Sequence, residues 1–193
     1  LKSYDETQKL HHTQIKIVGK QGDTLTVKRY DNGTLQLQGR HALLASYAMD
    51  FLTTVLPYKE AIDLQIQGFD VKSSVDNVLH ELSGELPVAI GYLGVTVRAQ
   101  LASALALTKS EINLADFGAI AFPALRGLEG FLKTEMTNAG FDLTNFTDFG
   151  EYFESKVVGK FDMREVHAPV AKEPKATKLA SCYTLYKRER HGI

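Results

Sequence analysis

With 193 residues, 44% apolar and 23% charged, the chain has ordinary globular composition and can hold one large or two small domains, each with its own core. A net charge of −1 excludes a surface that is basic throughout, the single cysteine excludes an internal disulfide and suits a reducing cytosol, and no run reaches the ~18 apolar residues of a membrane helix. The first residues are polar, so no signal peptide is expected. Because the chain opens on Leu1 and stops at Ile193, it is expected to be a fragment of a longer protein.

Residues 13–39 read as antiparallel strands. Ile15-Lys16-Ile17-Val18 leads into a turn at residues 19–23, and Leu25 to Tyr30 alternates in character. Asp31-Asn32-Gly33 is a hairpin signal, because Asn and Gly accept the positive φ of such turns. Leu35 to Gln38 alternates again. Leu43, Leu44, Tyr47, Met49, Phe51, Leu52 and Val55 then form the apolar face of a helix that Pro57 ends.

Everything after Pro57 is expected to be helical. Tyr58 to about Gln67 predicts a short helix ended by Gly68. Ser73 to Leu82 predicts a second, capped by Ser73 or Ser74 and stopped at Gly84. The apolar segment Val88 to Thr108 reads as one buried helix, with Gly91 and Gly94 near its start. A longer segment begins at Asn113 or Asp116 and runs to Gly140, and either it bends at Pro123 or its main helix starts there. Residues 141–155 read as a loop with a short helix around Phe149–Phe153, and residues 156–175 as a loop holding Pro169 and Pro174. The last helix starts near Thr177. The fold class is therefore α+β, with a small antiparallel sheet plus helix followed by an all-α bundle and a boundary near residue 68.

Two constellations stand out. Arg126 and Glu129 lie one turn apart beside the apolar face Ala121, Leu125, Leu128, Phe131 and Leu132, in one stripe with Phe122 and Lys133. An exposed pair of this kind is worth roughly 0.2–0.5 kcal/mol and needs no function. Gly127 between them costs about 0.5–1 kcal/mol against alanine in a helix, which predicts close packing against a partner helix. Near the end, Leu179, Cys182, Tyr183, Tyr186 and Arg190 recur at helical spacing, so Arg190 continues the core-facing stripe and needs an anion, either Glu129 or a phosphate. From Lys156 onward nine cations face four anions. This suits a local phosphate site, although a basic helix end also satisfies the helix dipole. His11-His12 reads as an exposed terminus, His41, His80 and His167 are isolated, Asp148 with Glu151 and Glu154 reads as an acidic helix start, and Cys182 reads as a core residue. No zinc spacing, Ser-His-Asp pattern or Gly-rich phosphate loop is present.

On these residues the chain resembles the RnlA/LsoA (RNase LS) family of bacterial type II toxins, which cleave mRNA in anti-phage defence. The stretch Asn32-Gly-Thr-Leu-Gln-Leu-Gln-Gly-Arg40 and its helix resemble that family's TBP-like repeat domain, assigned to residues 1–68. Residues 69–193 resemble its HEPN ribonuclease domain, C-terminally truncated. The resemblance matches Arg126 and Glu129 to an Arg-x-x-Glu pair and Arg190 to the arginine of an Arg-(four to six residues)-His motif, with His191 in the polar position after it. The motif's own histidine would fall a few residues past Ile193, about one helical turn from Arg190. His191 does not replace it, because adjacent helix residues point roughly 100° apart.

This resemblance implies catalytic roles for Arg126, Glu129 and Arg190 and substrate contacts from Arg188 and His191. It implies no metal and no cofactor, an mRNA substrate, a homodimer in the cytoplasm, and silencing by a protein antitoxin of RnlB-like or phage Dmd-like type. A non-catalytic helical module that binds protein or RNA is the alternative, favoured by the near-neutral charge. A metal-dependent nuclease is poorly supported, since no carboxylate cluster has ligand spacing.

Overall fold

Four antiparallel strands in sequential order open the chain: β1 (Ser3–Gln8), β2 (His12–Val18), β3 (Thr24–Tyr30) and β4 (Leu35–Gly39). The computed structural model describes residues 1–39, 43–111 and 118–190. The register sets Ile15 beside Val27 and Val27 beside Leu37, with Ile17 beside Leu25, so one face is apolar. The β3–β4 turn forms as its residues dictate: Gly33 sits at φ 86, and the Thr34 amide donates to the Asn32 side chain at 3.0 Å. β1 was not expected from its polar sequence. It pairs along its whole length with β2, as an edge strand whose side chains stay in water. His12 accordingly belongs to β2, its ring against Tyr30, rather than to a loose terminus.

Among the described residues six α-helices follow: α1 (Leu43–Val55), α2 (Tyr58–Gly68), α3 (Val75–Glu85), α4 (Val95–Leu107), α5 (Gly118–Asn138) and α6 (Lys175–Arg190). The α+β class is as read from the sequence. Ser74 caps α3 by accepting from the Asn77 amide, but Gly84 does not stop that helix, which ends one residue later. Residues 87–92 are turns and not the start of a helix. Gly94 takes an extended conformation at the N-cap of α4, so the helix begins only at Val95. α5 continues through Pro123. The proposed caps Asn113 and Asp116 lie outside the described residues, as do His41, Arg40 and His191.

The expectation of helices and loops alone after Pro57 is corrected by a hairpin, β5 (Phe153–Val157) and β6 (Lys160–Met163), which turns at Gly159 with φ 76. Such a short ribbon is marginal alone. Here α6 holds it: Phe153 stacks on Tyr183 at 4.5 Å between centroids, and the Phe161 amide donates to the Thr184 hydroxyl at 3.1 Å.

The helices enclose two apolar clusters. Ile62, Ile66, Phe69, Val71, Val78, Leu82, Ala102, Ala106 and Leu107 join α2, α3 and α4, so packing is continuous across residue 68. Leu132, Met136, Phe149, Phe153, Leu179, Tyr183 and Tyr186 join α5, α6 and the hairpin. α5 is shared: Ile120 packs on the first cluster, while Leu125, Leu128, Leu132 and Met136 belong to the second.

Against α4, the small residues Gly127 and Gly130 face outward from α5. A Cβ on Gly127 would stand 2.8 Å from Leu101 Cδ2, and one on Gly130 2.8 Å from Val97 Cγ2. The close packing expected at Gly127 is therefore present and extends to Gly130. Val97 is buried and β-branched, so it yields little. Gly130→Val is expected to destabilise the protein by about 1–3 kcal/mol through overpacking, read as a lower urea midpoint at unchanged m-value.

Candidate active site

α5 presents Arg126, Glu129 and Lys133 along one edge, about one turn apart. The Arg126 Nη1 donates to Glu129 Oε2 at 2.7 Å, and Lys133 Nζ donates to Glu129 Oε1 at 2.7 Å. Glu129 is thus held by cations on both sides with its side chain only 13% exposed. Two further contacts come from distant elements. Asp50 of α1 accepts from Arg126 Nε at 3.0 Å, and its other oxygen accepts from Gln100 Nε2 of α4 at 3.0 Å. The Tyr186 hydroxyl of α6 donates to Glu129 Oε2 at 3.2 Å and accepts from Arg190 Nη1 at 2.7 Å.

The result is one chain of alternating charge, Asp50–Arg126–Glu129–Tyr186–Arg190. Its members from Arg126 to Arg190 border a cleft of about 320 Å³ between α5, α6 and the loop before Phe149. Arg126, Lys133, Lys187 and Arg190 supply the positive lining, Glu129 and Asp148 the negative. A second cleft of about 350 Å³ lies on the other side, toward the start of α4, and shares Arg126, Glu129 and Lys133. Those three side chains are the ridge between them.

Arg190 joins Arg126 and Glu129 at this site, as the sequence predicted, but it is exposed rather than core-facing. It reaches Glu129 only through the Tyr186 hydroxyl. Arg188 lies elsewhere, on the exposed side of α6, paired with Glu189 at 2.7 Å. The predicted substrate residue His191 lies outside the described residues. Asp148 does cap a short 3-10 turn (Phe149–Glu151) and also lines the cleft. The half-buried Cys182 packs at the edge of the second apolar cluster, and burial pushes its thiol up. Among the described residues no group of three or more His, Cys, Asp or Glu side chains is arranged to hold a metal ion.

Asp50 and Tyr186, not among the site residues expected from the sequence, also belong to this network. Asp50 had a signal, being the one charge in the apolar run Tyr47 to Val55. Tyr186 had another, lying one helical turn before Arg190 on the same face.

Burial opposes ionisation of Glu129, but the Lys133 hydrogen bond and the Arg126 charge outweigh it and hold the carboxyl below its ordinary value. For Arg126 burial again works against the charge, and Glu129 and then Asp50 overcome it, raising its pKa. Tyr186, 3% exposed, is pushed up to about 12 by burial and by the Glu129 charge, with Arg190 pulling the other way. It therefore keeps its proton near neutrality and serves as a donor to Glu129.

The chain belongs to the RNase LS family of bacterial toxins: residues 74–193 match the family profile described as "RNase LS, bacterial toxin DBD domain", and residues 1–57 match "RNase LS, bacterial toxin". It is 31% identical over 173 residues to the mRNA endoribonuclease LsoA of Escherichia coli O157:H7, covering 89% of this chain and 49% of that protein. It is 26% identical over 183 residues to the mRNA endoribonuclease toxin LS of Escherichia coli strain K12, again covering 89% and 49%. The chain thus spans about half the length of these curated relatives. The fold is similar to the Escherichia coli toxin LsoA solved in complex with the T4 phage antitoxin Dmd, with a TM-score of 0.64, 27% identity, and coverage of 99% of this chain and 75% of that one.

Because the folded carboxyl of Glu129 lies below 4.5, the unfolded chain takes up the proton first as pH falls. Its contribution to stability is complete above about pH 4.5 and is lost as pH drops through the folded value. Melting curves of wild type and Glu129→Gln are expected to differ most above that pH and to converge below it. Parallel curves at every pH would contradict the shift.

Proposed function

We propose that this chain is the ribonuclease part of a type II toxin that cleaves mRNA without a metal, through attack of the RNA 2′-OH on the adjacent phosphate. The observation that carries the reading is the cleft on which Arg126 and Arg190 are tied together through Glu129 and Tyr186. Phosphoryl transfer within RNA needs fixed cations where negative charge builds on the phosphate oxygens, and two arginines on one cleft supply them. Glu129 orients Arg126, and Tyr186 carries that order on to Arg190.

In this reading the 2′-oxygen forms the new bond to phosphorus as the bond to the 5′-oxygen breaks. A base takes the 2′-OH proton and an acid returns one to the leaving oxygen. The products are a 2′,3′-cyclic phosphate and a 5′-OH. Histidine suits that proton transfer near neutral pH, and the family resemblance implies one a few residues past Ile193. We read residues 69–193 as the HEPN-type unit, with α2 from the preceding TBP-like segment completing its core.

The names of the curated relatives, both mRNA endoribonucleases, support the activity, and the LsoA–Dmd complex supports a protein antitoxin and a role against phage. A homodimer pairing two such clefts fits the resemblance. No helix among the described residues is long and apolar enough to cross a membrane. We place the protein in the cytoplasm, where its single half-buried thiol stays reduced.

The full-length protein is expected to cut RNA in excess EDTA and to leave cyclic phosphate ends. Cutting that appears only when Mg²⁺ is restored would overturn the mechanism. Arg190 is exposed, so Arg190→Ala should leave the melting temperature nearly unchanged while lowering the cleavage rate about 10²-fold or more. Tyr186→Phe keeps the packed ring and removes the link to both Glu129 and Arg190. It should slow single-turnover cleavage about tenfold, and a rate equal to wild type would reduce Tyr186 to a core residue.

A further inference from the structure

We infer that Asp50 of α1, itself held by Gln100 of α4, is a positioning residue that sets the orientation of Arg126 in the cleft. This inference rests on the nuclease reading above.

The geometry separates Asp50 from an ordinary surface ion pair. Its carboxylate is only 13% exposed, and both of its oxygens are used, one by Arg126 Nε and one by Gln100 Nε2, each at 3.0 Å. Gln100 is 6% exposed on a helix otherwise rich in alanine, so a buried amide is committed to fixing this carboxylate. Burying a charge is costly, and well-packed apolar residues commonly match or exceed such a pair in stability. The arrangement makes sense through what it does to the arginine.

A guanidinium held at one nitrogen still swings about that contact. Arg126 is held at two: Asp50 takes Nε and Glu129 takes Nη1. These anchors fix both the plane and the torsion of the group, and its remaining terminal nitrogen, Nη2, makes no hydrogen bond to a described residue. Asp50 does not line the cleft, so it acts through Arg126 and not on substrate. It also comes from the helix directly after the β-sheet, 76 residues from Arg126. The segment before the helical unit therefore contributes to the order of the site.

The test uses the full-length protein and a labelled unstructured RNA that the wild type cleaves, together with the same RNA carrying a 2′-deoxy residue at the scissile position. Asp50→Ala is expected to lower the single-turnover rate at saturating enzyme about ten- to a hundredfold, the range that a misplaced catalytic group costs. Its Kd for the uncleavable RNA should stay within about threefold. Asp50→Asn, which keeps an acceptor for Nε but no charge, should recover most of the rate without recovering melting temperature. Adding Gln100→Ala to Asp50→Ala should cost no further rate, because Gln100 acts through Asp50.

Full activity in Asp50→Ala beside an inactive Arg126→Ala would overturn this inference and leave the nuclease reading standing. Full activity in Arg126→Ala would overturn both. A loss in Asp50→Ala that simply follows the unfolded fraction, with no rescue by Asn, would make the contact structural and refute a positioning role.

Discussion

The seat of α5 on α4 is the constraint on which the rest of the molecule depends. Gly127 and Gly130 of α5 sit so close to Leu101 and Val97 of α4 that a Cβ on either would come within 3 Å of those side chains. That contact presses the backbones together and fixes both the height and the rotation of α5. Rotation matters most, because the edge left over carries Arg126, Glu129 and Lys133. Turned or lifted by a packed side chain, that edge would lose Asp50 on one side or Tyr186 on the other. The glycines give up helix propensity of about 1 kcal/mol each, and the close contact they permit sets the geometry of the charged network.

The same network shows how a protein keeps several charges in a partly dry place. Asp50 and Glu129 are each desolvated, and neither is left with an unmatched oxygen. Signs alternate along the path, so every charge has an opposite neighbour, and the phenol of Tyr186 joins an anion to a cation without adding a charge of its own. Burial alone would push Glu129 toward its neutral form. Its two cationic neighbours reverse that outcome. The electrostatic order of the cleft is thus a property of four helices together, α1, α4, α5 and α6, and of no single motif.

Much of this was legible in the residues. The hairpin at Asp31-Asn32-Gly33, the helices from Leu43 and Tyr58, the cap at Ser74 and the small-residue contact at Gly127 all rest on local rules that the structure obeys. Arg126 and Glu129 were visible for the same reason, since helical spacing brings them together. What stayed hidden depends on tertiary context. β1 is polar and exposed, so it lacks the alternation that marks a half-buried strand. The β5–β6 hairpin is too short for periodicity to register and stands only because Tyr183 and Thr184 of α6 support it. Asp50 and Tyr186 reach Arg126 and Glu129 across 76 and 57 residues, and no spacing rule spans such distances. The buried place expected for Arg190 failed for a related reason: a periodic stripe gives a direction around the helix but does not say how far along it the neighbouring element extends.

The β-sheet meets the helices chiefly through β3, α1 and one anchoring bond, in which Asp23 accepts from the Leu44 amide at 2.7 Å. α1, by contrast, packs on α2, α4 and α5 and gives Asp50 to the network. Amide protons therefore sort by packing and not by position in the chain. Those of the sheet are expected to exchange with solvent through an opening that leaves the helices intact, while those of α1, only a few residues further on, should share the protection of α4 and α5.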